Sequence, residues 1–215
     1  MKSLVAGAVA VALAALTPAS ATQDSRRDAR LQPERVMDAI GIRPGMVIGE
    51  AGAGRGYFTF KLARRVGASG KVYANDIDRA ALDHVRQVCR DENIRNVETV
   101  VGDIEDPLFP ASGLQVVVMV YALHDFARPV AFLESLKKYL DPGGVVAVLD
   151  QDPDVTGDRH FLPRERLVAL FAESGYDLAA DERFLEKDLL LVFRRSAASR
   201  TGSGLNTPCT APRSG

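Results

Sequence analysis

The chain has 215 residues, 47% of them hydrophobic and 26% charged, with a formal net charge of -1. That is enough apolar material for one core of ordinary size, and the near-neutral balance leaves no electrostatic footprint for nucleic acid, so no such partner is expected. The only cysteines, Cys89 and Cys209, exclude a disulfide scaffold; neither stands in zinc-ligand spacing, so no metal is expected.

The first residues read as an export leader. Lys2 gives a positive start, residues 4–16 form an uncharged Ala/Val/Leu run, and Ala19-Ser20-Ala21 matches the small-x-small cleavage pattern with the cut after Ala21. The run is too short to anchor in a bilayer, so no stable membrane span is expected once residues 1–21 are removed. A used leader implies a periplasmic or secreted protein, and an unused one a cytoplasmic protein. At the far end, residues 196–215 are rich in Ser, Gly, Thr and Pro. They lack the apolar side chains that would offset ordering entropy, and read as a disordered tail.

Residues 22–195 form one domain in which short apolar runs alternate with helical spacing. Residues 46–50 predict a strand that ends in a Gly-rich loop, and 57–66 a helix. A second strand covers 71–75. Asp78 then caps a helix whose apolar side holds Ala81, Leu82, Val85, Val88 and Cys89. Residues 97–101 are a third strand. Residues 115–121 are apolar on both faces, as a central strand covered by helices requires. Helical spacing over 129–140 leads to the turn Asp141-Pro142-Gly143-Gly144 and a strand over 145–150. Pro163 opens another helix, and strands over 176–183 and 188–194 close the domain. Such alternation predicts an α/β fold with a mainly parallel sheet, whose ligands sit at the carboxyl ends of the strands.

The segment Glu50-Ala51-Gly52-Ala53-Gly54-Arg55-Gly56 lies between a strand and a helix. Glycines there let backbone approach a ligand, and helix-start N–H groups favour an anionic group. The third glycine follows too soon for the dinucleotide pattern G-x-G-x-x-G, and there is no P-loop lysine. Asp76 ends the second strand, where a carboxylate can accept from ribose hydroxyls. Asp103, in Gly102-Asp103-Ile104 at the end of the third strand, can accept from an adenine amino group. Together these strand ends outline an adenosine-shaped site with no place for a second nucleotide.

With these motifs in order, residues 32–194 resemble the class I S-adenosylmethionine-dependent methyltransferases. The resemblance rests on the Gly-rich segment with its Gly-Tyr-Phe-Thr continuation to Thr59, on Asp76, on Gly102-Asp103, and on the Leu-x-Pro-Gly-Gly turn from Leu140 to Gly144. It implies a Rossmann-like, seven-stranded, mainly parallel sheet with helices on both faces and the last strand antiparallel. It also implies S-adenosyl-L-methionine as cofactor. Gly52, Gly54 and Gly56 would approach the methionyl part and Glu50 would orient it. Asp76 would hold the ribose, Ile77 would pack on adenine, and Asp103 with Ile104 would close the base pocket. The sequence departs from the family pattern in having Glu50 for the commoner Asp, Ala51 for a bulky aliphatic residue, and Arg55 for Ser or Thr.

On the acceptor side, Tyr121-Ala122-Leu123-His124-Asp125-Phe126 follows the central strand. His124 beside Asp125 is a candidate base, and Tyr121 a further catalytic candidate. The plainer readings are a loop-capping histidine and a packing tyrosine. Asp150-Gln151-Asp152 either borders the acceptor mouth or forms a solvated turn, and His160 reads as a surface residue. No added recognition domain is visible, so the expected partner is a small-molecule methyl acceptor. Two other functions compete with methyl transfer. One is an exported, non-catalytic binder of an adenosyl ligand; export favours it, because the cofactor is made in the cytoplasm. The other is an NAD(P)-dependent oxidoreductase, which the glycine spacing and Asp103 disfavour.

Overall fold

The computed structural model describes residues 19–197, with side chains from Asp24 onward. Strands β1 (Val47–Ala51), β2 (Lys71–Asp76), β3 (Val97–Val101), β4 (Leu114–Val120), β5 (Leu140–Gln151), β6 (Tyr176–Glu182) and β7 (Asp188–Arg195) form one sheet in the order β3-β2-β1-β4-β5-β7-β6. All pairs are parallel except those of β7, which runs antiparallel to both β5 and β6. This is the seven-stranded, mainly parallel architecture with an antiparallel last strand that the motifs imply. The chain steps outward from β1 to β3, then returns to the other side of β1 as β4. The switch point therefore lies between β1 and β4, where open α/β sheets bind their ligands.

The helices are α1 (Ala19–Leu31), α2 (Pro33–Ile40), α3 (Thr59–Val66), α4 (Arg79–Asp91), α5 (Pro129–Leu136), the short α6 (Pro153–Thr156) and α7 (Arg164–Glu173). They cover both faces of the sheet, and β4 shows why its sequence is apolar throughout. Val116, Val118 and Val120 join the core made with Leu31, Met37 and Leu62 from α1, α2 and α3. Val117 and Met119 join the opposite core with Phe132, Leu136 and Phe171 from α5 and α7. Each such side chain, fully buried, contributes about 1.5–3 kcal/mol. Asp78 caps α4 as its sequence predicts, accepting from the Ala80 and Ala81 N–H groups at 2.8 and 3.3 Å. Ala81, Leu82 and Val85 are buried, while Val88 and Cys89 are only half-buried as the helix runs out past the sheet.

Three features depart from the sequence-based expectation. The stretch from Ala19 to Ile40 forms α1 and α2, which no motif marks. The helix expected over 129–140 stops at Leu136, because Leu140 already pairs with Leu114. Val145 then pairs with Val116, so the Asp141–Gly144 turn is a bulge within β5 rather than a break before it. The expected cut after Ala21 falls in the first turn of α1, and residues 1–18 of the expected leader lie outside the described residues. Of the expected tail, Ser196 is bound to Gly175 O through its N–H at 3.1 Å, and residues 198–215, with Cys209, lie outside the described residues. Among the described residues no helix is long and apolar enough to cross a membrane.

Phe171 stacks on Phe193 with centroids 3.7 Å apart and meets Tyr176 edge-on, which joins α7 to the antiparallel end of the sheet. Phe171→Ala should lower the unfolding free energy by about 3–5 kcal/mol, read from urea denaturation.

Candidate active site

The loops after β1 and β4 meet at the switch point. Gly52 has φ +76°, and a Cβ there would lie 2.4 Å from Ala122 Cβ, so a side chain at 52 would drive the two loops apart. The N–H groups of Gly52 and Ala53 both donate to Asn75 O at 2.9 Å. The Asn75 side chain is buried and donates to Pro107 O at 2.8 Å and Val100 O at 3.3 Å. One residue thus ties the Gly-rich loop to the exit of β3. Gly54 (φ +52°) has no atom within 4 Å of a notional Cβ, so its α-carbon faces open space. Its N–H donates to Asp76 Oδ2 at 2.7 Å, and Asp78 N–H donates to Oδ1 at 2.9 Å. Each Asp76 oxygen keeps a further lone pair, so the carboxylate can still accept from a ribose hydroxyl. Gly56 sits against Phe60 and Val85 in the turn that enters α3.

Gly52, Asp76, Ile77, Asp103, Ile104 and Asp125 line one cleft of about 100 Å³, together with Phe126. Ile77 and Ile104 are 60% and 46% exposed and stand together at this cleft, where an apolar ligand face would cover both. Two apolar side chains with carboxylates from Asp76 and Asp103 at the same cleft suit a flat base joined to a sugar diol. The residues present therefore fit the adenosyl part of S-adenosylmethionine. A larger hollow of about 560 Å³, lined by Arg64, Lys71 and Arg95 among others, lies at the amino ends of β2 and β3. It is distant from the switch point and gathers none of the motif residues, so chemistry rather than size selects the smaller cleft.

Glu50 lies outside that cleft. Its carboxyl is buried and accepts a hydrogen bond from the Thr59 hydroxyl. Burial pushes its pKa from 4.5 up to about 8, against the opposing pull of Thr59 and Arg27. At neutral pH the carboxyl is mostly protonated, a property that burial creates and sequence does not display.

On the acceptor side, Tyr121 leaves β4 with φ +56°, a left-handed backbone that is costly for a bulky residue. Its hydroxyl donates to buried Asp188 and accepts from Arg30 at 2.7 Å. Burial, then Asp188, holds the Tyr121 hydroxyl well above its ordinary pKa, so it stays protonated and committed to Asp188. His124 lies in the short 3-10 turn Leu123–Asp125 with its side chain 5% accessible and Nδ1 2.8 Å from Asp150 Oδ2. Asp150 is fully buried, neither a solvated turn nor an open mouth residue. Asp125, the sequence neighbour, is 3.5 Å from Nε2 and mostly exposed. Burial pulls the imidazole pKa down, but Asp150, Asp125 and Asp158 outweigh it and hold His124 above its usual value. The orienting carboxylate is therefore Asp150, which comes from β5.

Helix α1 supplies groups that no motif announced. Asp28 accepts from Tyr57 at 2.7 Å and from Lys61 at 2.8 Å, and the Arg27 guanidinium lies 3.7 Å from the Tyr57 ring centroid. Arg30 reaches Tyr121 and Asp188. The only sequence signal is the dense run of charges from Asp24 to Arg30, which is indistinguishable from a solvated face until α1 is seen beside the site.

Residues 42–181 match the methyltransferase domain family. The chain belongs to the S-adenosylmethionine-dependent methyltransferase family. The ubiquinone/menaquinone biosynthesis C-methyltransferase UbiE of Idiomarina loihiensis is 34% identical over 122 residues, 56% of this chain and 49% of that protein. The protein of the same name from Vibrio parahaemolyticus is 34% identical over 165 residues, 72% of this chain and 64% of that one. This methyltransferase-family chain thus spans between about half and two thirds of the length of these curated relatives. A crystal structure of an S-adenosylmethionine-dependent methyltransferase from Aquifex aeolicus shares its fold with a TM-score of 0.73 at 19% identity, covering 80% of this chain and 96% of that one.

The Glu50 carboxyl gives the family member a pH signature. Its folded pKa of about 8 lies above the ordinary 4.5, so its stabilising contribution is full below the lower value and is lost as pH rises through the higher. Glu50→Gln should therefore gain Tm relative to the unsubstituted protein as pH rises from about 5 to about 9, measured by calorimetric melts.

Proposed function

We propose that this protein moves a methyl group from S-adenosylmethionine to a small acceptor held between the cleft and the His124–Asp150 pair. One observation carries the reading: Asp125 lines the adenosyl-shaped cleft and also stands beside His124 Nε2. The cofactor side and a proton-accepting group are therefore contiguous. Asp76 holds the ribose, Ile77 and Ile104 cover the base, and Asp103 accepts from its amino group. The glycine backbone at Gly52, Gly54 and Gly56 leaves room for the methionyl part, and Glu50, its proton released to solvent, would answer the ammonium group as a carboxylate. When bound, S-adenosylmethionine supplies an already activated methyl on a sulfonium, so the protein's work is alignment and exclusion of water. Where the acceptor must lose a proton, Nε2 of His124 receives it and Asp150 stabilises the resulting imidazolium through Nδ1. Tyr121 positions the turn rather than reacting, because its hydroxyl is held by Asp188.

The curated relatives are named as C-methyltransferases of ubiquinone and menaquinone biosynthesis, which supports starting an acceptor screen with hydroquinone-type rings. Export rests on the leader pattern, and intact-mass measurement of the protein recovered from a periplasmic extract should show a chain beginning at Thr22.

Asp76→Ala should weaken S-adenosylhomocysteine binding at least about tenfold by calorimetry, as expected for losing a charge-assisted pair of hydrogen bonds. Unchanged affinity would reject the ribose role. His124→Ala should keep that affinity but lower turnover by about 10²–10⁴-fold once an acceptor is in hand. Cofactor affinity without turnover across the screen would favour a non-catalytic binder.

A further inference from the structure

The chain has only three histidines, and two of them, His124 and His160, converge on one carboxylate although they lie on different loops. His124 Nε2 is 3.5 Å from Asp125 Oδ2, and His160 Nε2 is 3.4 Å from Asp125 Oδ1. One donor atom from each of the three residues falls within 4.8 Å of the others. We propose that His124, Asp125 and His160 bind a divalent transition-metal ion of the zinc class.

The spacing suits such an ion. Ligands at about 2.0–2.2 Å around a tetrahedral centre lie about 3.3–3.5 Å apart. Each imidazole already stands at that distance from Asp125, though on different carboxylate oxygens, so a small turn of the carboxylate brings one oxygen to both. Asp125 and His160 are mostly exposed, with side chains 66% and 61% accessible, so rotation of either closes the remaining edge without disturbing the core. His124 is the fixed member. Its Nδ1 is tied to fully buried Asp150, which leaves Nε2 facing Asp125, and a carboxylate behind the imidazole is the usual support of a metal-binding histidine. His160 is held in turn, since its N–H donates to Asp158 Oδ1 at 3.1 Å and its ring meets His124 and Phe161 edge-on.

A general base explains His124 and Asp150 but gives no reason for a second imidazole on the same carboxylate. Two imidazoles and one carboxylate favour zinc-class ions over magnesium, which prefers oxygen donors. Three protein ligands leave one position open, as in catalytic rather than structural zinc sites. That position opens beside the cleft that Asp125 lines, so an ion there would polarise an acceptor oxygen. With the metal bound, Nε2 of His124 is a ligand and takes no proton, and its role as a base belongs to the metal-free protein. Zinc binding needs neither cofactor nor acceptor, so this site stands or falls separately from methyl transfer.

The test uses the untagged full-length chain, stripped with chelator and titrated with Zn²⁺ by calorimetry and with Co²⁺ by visible absorption. About one equivalent should bind, with the intense d–d bands of tetrahedral Co²⁺. His160→Ala should weaken Zn²⁺ binding at least about tenfold and abolish those bands, while Tm without metal and S-adenosylhomocysteine affinity stay unchanged. Asp150→Asn should weaken Zn²⁺ about 10–100-fold by freeing the His124 ring. Equal Zn²⁺ affinity in the unsubstituted protein and His160→Ala would overturn the proposal, because that zinc would sit elsewhere. Displacement of Zn²⁺ by equimolar Mg²⁺ would overturn it too.

Discussion

The close approach of two loops at the switch point is the constraint on which the rest of this structure depends. Gly52 after β1 and Ala122 after β4 touch, with no room for a side chain at position 52. On one side of that contact the backbone leads to Gly54 and Asp76, and on the other it leads to His124 and Asp125. Group transfer gains most from holding two reactants in near-attack geometry. Here the two halves of the site meet where the Gly52 backbone packs against the Ala122 methyl. Beside that contact, Tyr121 leaves β4 with a left-handed backbone. The strained residue is held by Asp188 from β7 and by Arg30 from α1, so two other elements hold one unfavourable backbone angle in place.

The carboxyl end of the sheet also gathers three buried acids, Glu50, Asp150 and Asp188. A buried carboxylate is costly unless it is protonated or paired, and each of these meets that demand differently. Glu50 keeps a proton and accepts from Thr59. Asp150 is matched by His124 and by the N–H of Gln151 at 3.0 Å. Asp188 accepts from Tyr121 and lies 3.7 Å from Arg30, though its Oδ2 has no hydrogen bond. Burial, with Asp150 nearby, raises the Asp188 pKa against the pull of Tyr121 and Arg30. Glu50, Asp188, Tyr121 and His124 all have raised pKa values at this one end of the sheet, a concentration typical of functional sites. It also gives α1 a purpose, because Arg27 and Arg30 bring positive charge to an acidic end that would otherwise repel itself.

The strand–helix alternation, the glycine turn, Asp76 at the end of β2 and Asp103 beyond β3 were all legible from the residues in order. Each depends on local rules: period-2 or helical apolar spacing, glycine at positive φ, and a carboxylate at a strand terminus. A central strand apolar on both faces needs cover on both sides, whatever the partners are. That is why β4 could be assigned without knowing which helices supply Leu62 or Phe171.

Pairing across the chain was not legible. Asp125 is the neighbour of His124 in sequence, yet its chemical partner is Asp150, because parallel β4 and β5 end side by side and a short turn folds the imidazole back. His160 joins the same cluster through a loop that sequence marks only as polar. Glu50 reads as a charged residue until burial keeps its proton on. Helix α1 reads as a run of charges until packing puts Arg30 on Tyr121. Local spacing determines which elements form and where their ends fall, since backbone sterics and apolar periodicity act over a few residues. Which side chains meet at those ends, and in what protonation state, depends on long-range packing and dielectric, and only the folded chain decides them.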